Sequence, residues 1–146
     1  MISAQARQEF VALLGAGGVL DRPEDLMLYE YDGSVDRGRP ELVVFPRSSE
    51  ETAEVVRTAR RHGVPVVARG SGTGLSGGSI PLRGGVVVVF TRMNRILETD
   101  LDNECAVVQA GVVNLDVTAA VDGRGYFYAP DPSSQKACTI GGNVAE

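Results

Sequence analysis

Ten residues near the middle of the chain read Arg69-Gly70-Ser71-Gly72-Thr73-Gly74-Leu75-Ser76-Gly77-Gly78. An apolar strand is predicted on each side of them, over residues 64–68 and 86–90. Because glycine has no Cβ, such a loop can adopt positive φ and let another molecule approach its backbone. Successive N–H groups can then form a concave anion site, and the serine and threonine hydroxyls add donors. The stretch therefore predicts a loop that binds a phosphate or diphosphate.

The same loop also contains the spacing G-x-G-x-x-G over residues 72–77. In a Rossmann turn that spacing opens a helix whose N-terminus faces the diphosphate. Residues 78–85 instead contain three glycines and Pro81 and lead into a β-branched run, so no helix is predicted there. The loop has no Gly-Lys-Ser/Thr, which excludes a P-loop. A connection without a ligand is the remaining alternative, although long ordered loops are more often functional.

Arg69 stands at the mouth of this loop. Its planar guanidinium could pair with a phosphate. A salt bridge within the domain is the open alternative for the same side chain.

Length, composition and net charge limit the class of protein. The chain has 146 residues, 43% of them hydrophobic and 5% aromatic, which suits one packed domain. Its net charge of -5 and pI near 4.9 argue against a nucleic-acid partner. The longest aliphatic run is too short to span a membrane, and no signal peptide is evident. We therefore expect a cytoplasmic protein without a transmembrane segment, with peripheral association at the inner membrane face left open.

A strand, a helix and a second strand precede the glycine loop. Residues 42–45 read as a buried strand, Ser48 begins a capping box with Glu51, and Gly63 suits the position after the helix. With the strand at 64–68, this predicts a parallel strand pair joined by a right-handed crossover. Ligands of open α/β sheets usually bind at the carboxyl ends of such strands, where the glycine loop begins.

The pattern changes on either side of this unit. Residues 1–40 predict a helix over 4–14 and a helical turn over 24–31, with little other regular structure. After the strand at 86–90, residues 96–99 and 105–108 predict an antiparallel hairpin that turns at Asp102-Asn103. Asn114 is then expected to cap a short helix that runs to Val121.

A second backbone-rich region follows near the end of the chain. It contains Pro130-Asp131-Pro132-Ser133-Ser134-Gln135 and then Thr139-Ile140-Gly141-Gly142-Asn143. Two such regions, one early and one late, suit a long ligand held at several points. A turn-rich surface loop would use the same residue types. The chain has one histidine, His62, and two cysteines that form no CxxC, so we predict no metal site and no catalytic nucleophile.

Several of these segments carry a family resemblance. They are the glycine loop, Pro46-Arg47-Ser48, residues 92–97, residues 107–112, residues 130–135 and residues 138–146. Together they resemble the FAD-binding domain of the vanillyl-alcohol oxidase / p-cresol methylhydroxylase (PCMH) type. Within that type they are similar to the flavin subunit of glycolate oxidase and to the FAD-linked D-lactate dehydrogenases. The resemblance runs from about Asp21 to Glu146.

The resemblance implies an α+β fold, with a small parallel βαβ subdomain followed by the start of a second α+β subdomain and FAD between them. Residues 1–40 would form a helical and irregular segment, and residues 41–146 an incomplete PCMH-type domain. Because the glycine loop has no histidine, we expect non-covalent FAD. The resemblance implies a cofactor site made of Arg69, Gly70, Ser71, Gly72, Thr73, Gly74, Leu75, Ser76, Gly77, Gly78, Pro130, Asp131, Ser133, Thr139, Gly141, Gly142 and Asn143.

The resemblance also implies an activity, namely oxidation of a 2-hydroxy acid such as glycolate or D-lactate by hydride transfer to flavin N5. The substrate would bind through a further domain, and iron–sulfur or other electron-transfer subunits would be partners. Proteins of this type are several times longer, so we expect the chain to be an N-terminal fragment or one part of a split enzyme. The alternative is a non-catalytic chain that binds a nucleotide diphosphate only together with a partner chain.

Overall fold

The computed structural model describes residues 1–145. The helices are α1 (Ala4–Leu14), α2 (Pro23–Leu26), α3 (Ser49–Arg61), α4 (Asn114–Val121) and α5 (Ile140–Ala145). The strands are β1 (Val19–Leu20), β2 (Leu42–Val44), β3 (Val66–Arg69), β4 (Val86–Val89), β5 (Ile96–Asp100) and β6 (Cys105–Val108). Short 3-10 turns follow α1, α2, β4 and α4.

Helix α3 begins and ends where the sequence predicts. The Ser48 hydroxyl accepts a hydrogen bond from the Glu51 amide at 3.2 Å, and the Glu51 carboxylate accepts one from the Arg47 amide at 2.7 Å. The first bond satisfies a donor that the first turn of a helix leaves free, and the second fixes the residue before the N-cap. Beyond the C-terminus, Gly63 has φ +62, which suits glycine. The cap prediction is confirmed.

The larger sheet has the strand order β1-β2-β4-β3. Strands β2 and β3 are each parallel to β4 and do not pair with one another. The expected direct pairing of the strands on either side of α3 is therefore wrong, although both run parallel to β4 in the same sheet. The reason is burial, because β4 is four consecutive valines, all at most 2% exposed, and an all-apolar strand is best accommodated at the centre.

The sheet has a core on both faces. On one face, Phe10 of α1 and Val55 of α3 pack with Leu42, Val44 and alternate valines of β4. On the other face, Val43, Val87 and Val89 pack against the segment that includes Leu26 and Tyr29. That segment therefore covers one side of the sheet.

Residues 1–40 are more closely joined to the sheet than the sequence suggests. Strand β1, which the sequence analysis did not anticipate, pairs antiparallel with β2. The helical turn expected near residues 24–31 is present as α2 and the 3-10 turn Met27–Tyr29. The division at residue 40 stays a prediction.

A second, smaller unit follows the sheet. Strands β5 and β6 form the predicted antiparallel hairpin, with Glu104 in its turn at φ +54. Asn114 does not cap α4, because Val113 occupies the N-cap position and the Asn114 side-chain Nδ2 donates instead to the Pro130 carbonyl at 3.1 Å. Helix α5, which was not predicted, brings the end of the chain back towards the glycine loop.

Candidate cofactor site

A cavity of about 470 Å³ lies at the carboxyl edge of the parallel strands. Its wall on the sheet side is the end of β3, the glycine loop and Phe90, which follows β4. The second unit closes the opposite side with Ala110 and the residues around α5. The size falls within the range of ordinary ligand sites.

The cavity brings together most of the predicted site residues from the two distant regions. Those that line it are Arg69, Gly70, Ser71, Gly72, Thr73, Gly74, Gly78, Thr139, Gly141, Gly142 and Asn143. The predicted residues outside its lining are Leu75, Ser76, Gly77, Pro130, Asp131 and Ser133. Leu75 is 77% exposed on the outer side of the loop. The lining also includes residues that the sequence analysis did not select, namely Ala68, Ser79, Phe90, Ala110, Ser134, Cys138 and Ala145.

Two glycines at the cavity stand where a side chain would not fit. A Cβ on Gly70 would collide with Thr139 Oγ1, and one on Gly72 would collide with the Arg69 guanidinium. Gly72 also has φ +74, a conformation that other residues rarely adopt. The loop therefore presents bare backbone where it meets its neighbours.

The early and late regions are bonded to one another. The Ser71 hydroxyl donates to the Ala137 carbonyl at 2.6 Å, which joins the glycine loop to the late region. The late region is also joined to Ala110, whose carbonyl accepts from the Gly141 amide at 2.8 Å. A Cβ on Gly141 would lie 2.9 Å from the Ala110 Cβ, so glycine is needed for this approach. Hydrogen bonds within the chain thus fix both walls of the cavity.

One amide at this cavity lacks a protein partner. The Asn143 Nδ2 atom is buried and makes no hydrogen bond within the described residues. Buried polar groups are normally satisfied. Asn143 lines the cavity, so this buried donor lies close to the space that a ligand would occupy.

Arg69 is buried beneath the loop, with 7% of its surface exposed. Its Nη1 donates to the Tyr31 carbonyl at 2.8 Å and to the Ser79 hydroxyl at 3.4 Å, and its guanidinium lies 5.6 Å from the centre of the Tyr29 ring. Burial lowers the pKa of this guanidinium from its ordinary value, and the negative charge of Asp32 partly opposes that shift. No carboxylate of the described residues forms an ion pair with it within 4.0 Å.

Asp32 is the acidic residue of this neighbourhood, and it was not among the site residues predicted from the sequence. It is 9% exposed and accepts hydrogen bonds from the Ser34 amide at 2.7 Å and the Ser79 hydroxyl at 3.3 Å. Burial alone would raise the pKa of Asp32, but these hydrogen bonds and the nearby Arg69 outweigh it and hold the pKa below its ordinary value. Nothing in the local sequence indicates that the carboxyl is buried, because Ser79 and Arg69 are distant from Asp32 in the sequence.

The sequence profile of the FAD binding domain family matches residues 40–146. The chain belongs to the FAD-binding domain family. Its relatives include the glycolate oxidase subunit GlcD of Bacillus subtilis, which is 41% identical over the whole of this chain. A D-lactate dehydrogenase of Anaerostipes hadrus is 40% identical over 75% of it. The chain spans 31% of that GlcD sequence and 23% of that dehydrogenase.

The fold agrees with the family. A crystal structure of p-cresol methylhydroxylase with substrate bound superimposes with a TM-score of 0.73 and 25% identity, over 83% of this chain and 24% of that one. The predicted recognition and the PCMH-type α+β fold are therefore confirmed, with the chain corresponding to part of the relatives it matches. Within residues 1–145, no helix is long and apolar enough to cross a membrane.

The cavity of this FAD-binding domain fits its cofactor, FAD. A diphosphate needs hydrogen-bond donors, and the glycine loop lines the cavity over residues 70–74. The Asn143 side-chain amide, which has no hydrogen-bond partner within the described residues, lies at the same cavity. The described residues contain no group of three or more His, Cys, Asp or Glu side chains that could hold a metal ion.

Proposed function

We propose that the chain is the FAD-binding portion of a flavoprotein that oxidises a 2-hydroxy acid of the glycolate or D-lactate type. The observation that carries the proposal is the cavity in which the glycine loop faces Thr139, Gly141, Gly142 and Asn143. The relatives named for glycolate and D-lactate supply the substrate class.

The glycine loop is assigned to the diphosphate. The backbone amides of residues 70–74 carry this role, because the Ser71 hydroxyl is already committed to the Ala137 carbonyl. Thr139, Gly141, Gly142 and Asn143 are assigned to the flavin and its ribityl chain. Leu75, Ser76, Gly77 and Gly78 complete the loop, and Pro130, Asp131 and Ser133 complete the late region.

When bound, FAD supplies the hydride acceptor for oxidation at the α-carbon of the hydroxy acid. The residues of this chain bind and orient the cofactor and exclude water from one side of it. Substrate binding and proton removal are assigned to residues outside this chain. We propose non-covalent attachment, since the one histidine, His62, contacts Glu9 through its Nε2 and is absent from the cavity lining.

The wider setting is also part of the proposal. Electron-transfer subunits, including iron–sulfur proteins, are the proposed partners, since the GlcD relative is named as a subunit. We also propose a cytoplasmic location for the protein. Peripheral contact with the inner membrane face is the alternative location. The second candidate function is a non-catalytic chain that binds a nucleotide diphosphate only when a partner chain is present.

The test is FAD retention by the purified full-length protein, measured as flavin absorbance that survives gel filtration. Glycolate and D-lactate are then added without oxygen, with L-lactate as the matched control. Retained flavin that loses its absorbance with glycolate or D-lactate supports the proposal. Retained flavin that no hydroxy acid reduces contradicts the substrate class. Binding that appears only after a partner chain is added favours the second candidate.

A further inference from the structure

The Arg69 side chain lies against the face of the glycine loop at Gly72. A Cβ on Gly72 would collide with Nη2 and would lie 2.5 Å from Cζ, so the guanidinium occupies the space that a side chain would fill. Its Nη1 is bonded to Tyr31 and Ser79, whereas Nε and Nη2 make no hydrogen bond within the described residues. Arg69 also lines the cavity. The cation therefore sits beside the amides assigned to the diphosphate.

The segment Tyr29 to Ser34 fixes this position from the other side. Tyr29 places its ring near the guanidinium, and the Tyr31 carbonyl accepts from Nη1. The Gly33 amide donates to the Gly74 carbonyl at 2.9 Å, and a Cβ on Gly33 would lie 2.8 Å from that oxygen. The segment and the loop are thus in direct contact.

Asp32 joins these contacts through Ser79. The Ser79 hydroxyl donates to Asp32 Oδ2 at 3.3 Å and accepts from Arg69 Nη1 at 3.4 Å. Asp32 is therefore the buried acceptor that orients the Ser79 hydroxyl, and this hydroxyl in turn accepts a hydrogen bond from Arg69. A buried charge without such partners is costly.

We propose that Asp32 is a positioning residue for the cofactor, which acts through Ser79 to hold the Arg69 guanidinium beneath the glycine loop. The inference rests on the proposed FAD site and goes beyond it, because it assigns a role to a segment that does not line the cavity.

The loss of the Asp32 charge and the loss of its positioning role change the FAD Kd in opposite directions in Asp32→Asn. Removing a negative charge near a bound diphosphate would by itself tighten FAD binding. Loss of the orienting acceptor releases Arg69 and weakens FAD binding. Asparagine keeps the size of the side chain and an oxygen for the Ser34 amide, so the substitution changes little else.

The experiment is a titration of the full-length protein with FAD, for wild type, Asp32→Asn, Arg69→Met and the double variant. We expect Asp32→Asn to raise the FAD Kd about tenfold, the size of one lost charged hydrogen bond. In the Arg69→Met background, Asp32→Asn should no longer weaken FAD binding. A purely structural role would weaken binding in both backgrounds.

Two variants serve as controls for this titration. Asp36→Asn removes a carboxylate charge at an exposed position two residues beyond that segment and should leave the Kd within about twofold. Ser79→Ala removes the hydroxyl that joins Asp32 to Arg69 without changing any charge, and it should also weaken FAD binding. This variant keeps the test decisive if Asp32→Asn does not fold.

The outcomes separate this inference from the proposed function. If wild type binds no FAD, the proposed function fails and this inference fails with it. If wild type binds FAD and Asp32→Asn binds equally or more tightly, only the positioning role is overturned. Additive effects of Asp32→Asn and Arg69→Met would also overturn it.

Discussion

At the scale of one residue, both the backbone conformation and the space around Gly72 favour glycine. It combines φ +74 with a guanidinium packed where its side chain would be. Glycine tolerates both conditions, whereas any other residue meets backbone strain and a steric collision. The identity of this residue is therefore constrained by its positive φ and by the position of the Arg69 guanidinium.

We expect Gly72→Ala to lower the free energy of unfolding by about 1–3 kcal/mol, the usual cost of a strained backbone residue. It should also weaken FAD binding, because the added methyl group displaces Arg69. Urea unfolding and FAD titration measure the two effects. Gly17→Ala is the matched control, since nothing lies within 4 Å of a Cβ there and its φ is not positive. Equal behaviour of the two variants would contradict the geometry described for Gly72.

The sequence predicts that Arg69 is a site residue but does not indicate which group its guanidinium contacts. A phosphate and an internal ion pair were both open, and the structure gives the guanidinium a carbonyl, a hydroxyl and an aromatic ring. The carbonyl belongs to Tyr31, 38 residues earlier in a segment without clear periodicity. Asp32 was missed for the same reason, because its burial comes from contacts distant in the sequence.

At the scale of elements, the local signals were the reliable ones. Helix α3 has a cap, an apolar stripe and a stop within one continuous stretch, and the hairpin β5–β6 has its turn between two strands. Strand order is not a local property. The place of β4 between β2 and β3 depends on which strand gains most from burial on both sides.

The cap of α3 gives a prediction at this scale. Ser48→Ala should lower the free energy of unfolding by about 1 kcal/mol, because the Glu51 amide loses its acceptor. Ser49→Ala is the control, since Ser49 is exposed in the first turn and is not the N-cap residue. Chemical denaturation measures both. Equal stabilities for these two variants would show that the Ser48 cap does not stabilise the helix.

At the scale of the whole molecule, several carboxylates join parts of the chain that are far apart. The pKa of Glu9 is lowered, chiefly by its hydrogen bond from Arg61, which connects α1 with α3. Burial alone would raise the pKa of Glu41, but hydrogen bonds from the backbone amides of Ile2 and Gly85 outweigh it and lower the pKa.

These carboxylates predict how stability depends on pH. Asp32, Glu9 and Glu41 have pKa values below their ordinary 3.8, 4.5 and 4.5 in the folded protein. The unfolded chain therefore takes up protons first as the pH falls, and the stabilisation present above these ordinary values is lost progressively. We expect the free energy of unfolding to decrease as the pH falls below about 4.5, and Asp32→Asn to reduce that dependence. An unfolding free energy that stays constant or rises with acid would contradict this.

The central claim is that the glycine loop holds the diphosphate of FAD. The most direct measurement is a crystal structure of the full-length protein with FAD bound. We predict that the diphosphate oxygens accept hydrogen bonds from backbone amides of residues 70–74, with Arg69 beneath Gly72. A diphosphate bound elsewhere, with this loop in contact with solvent alone, would contradict the account.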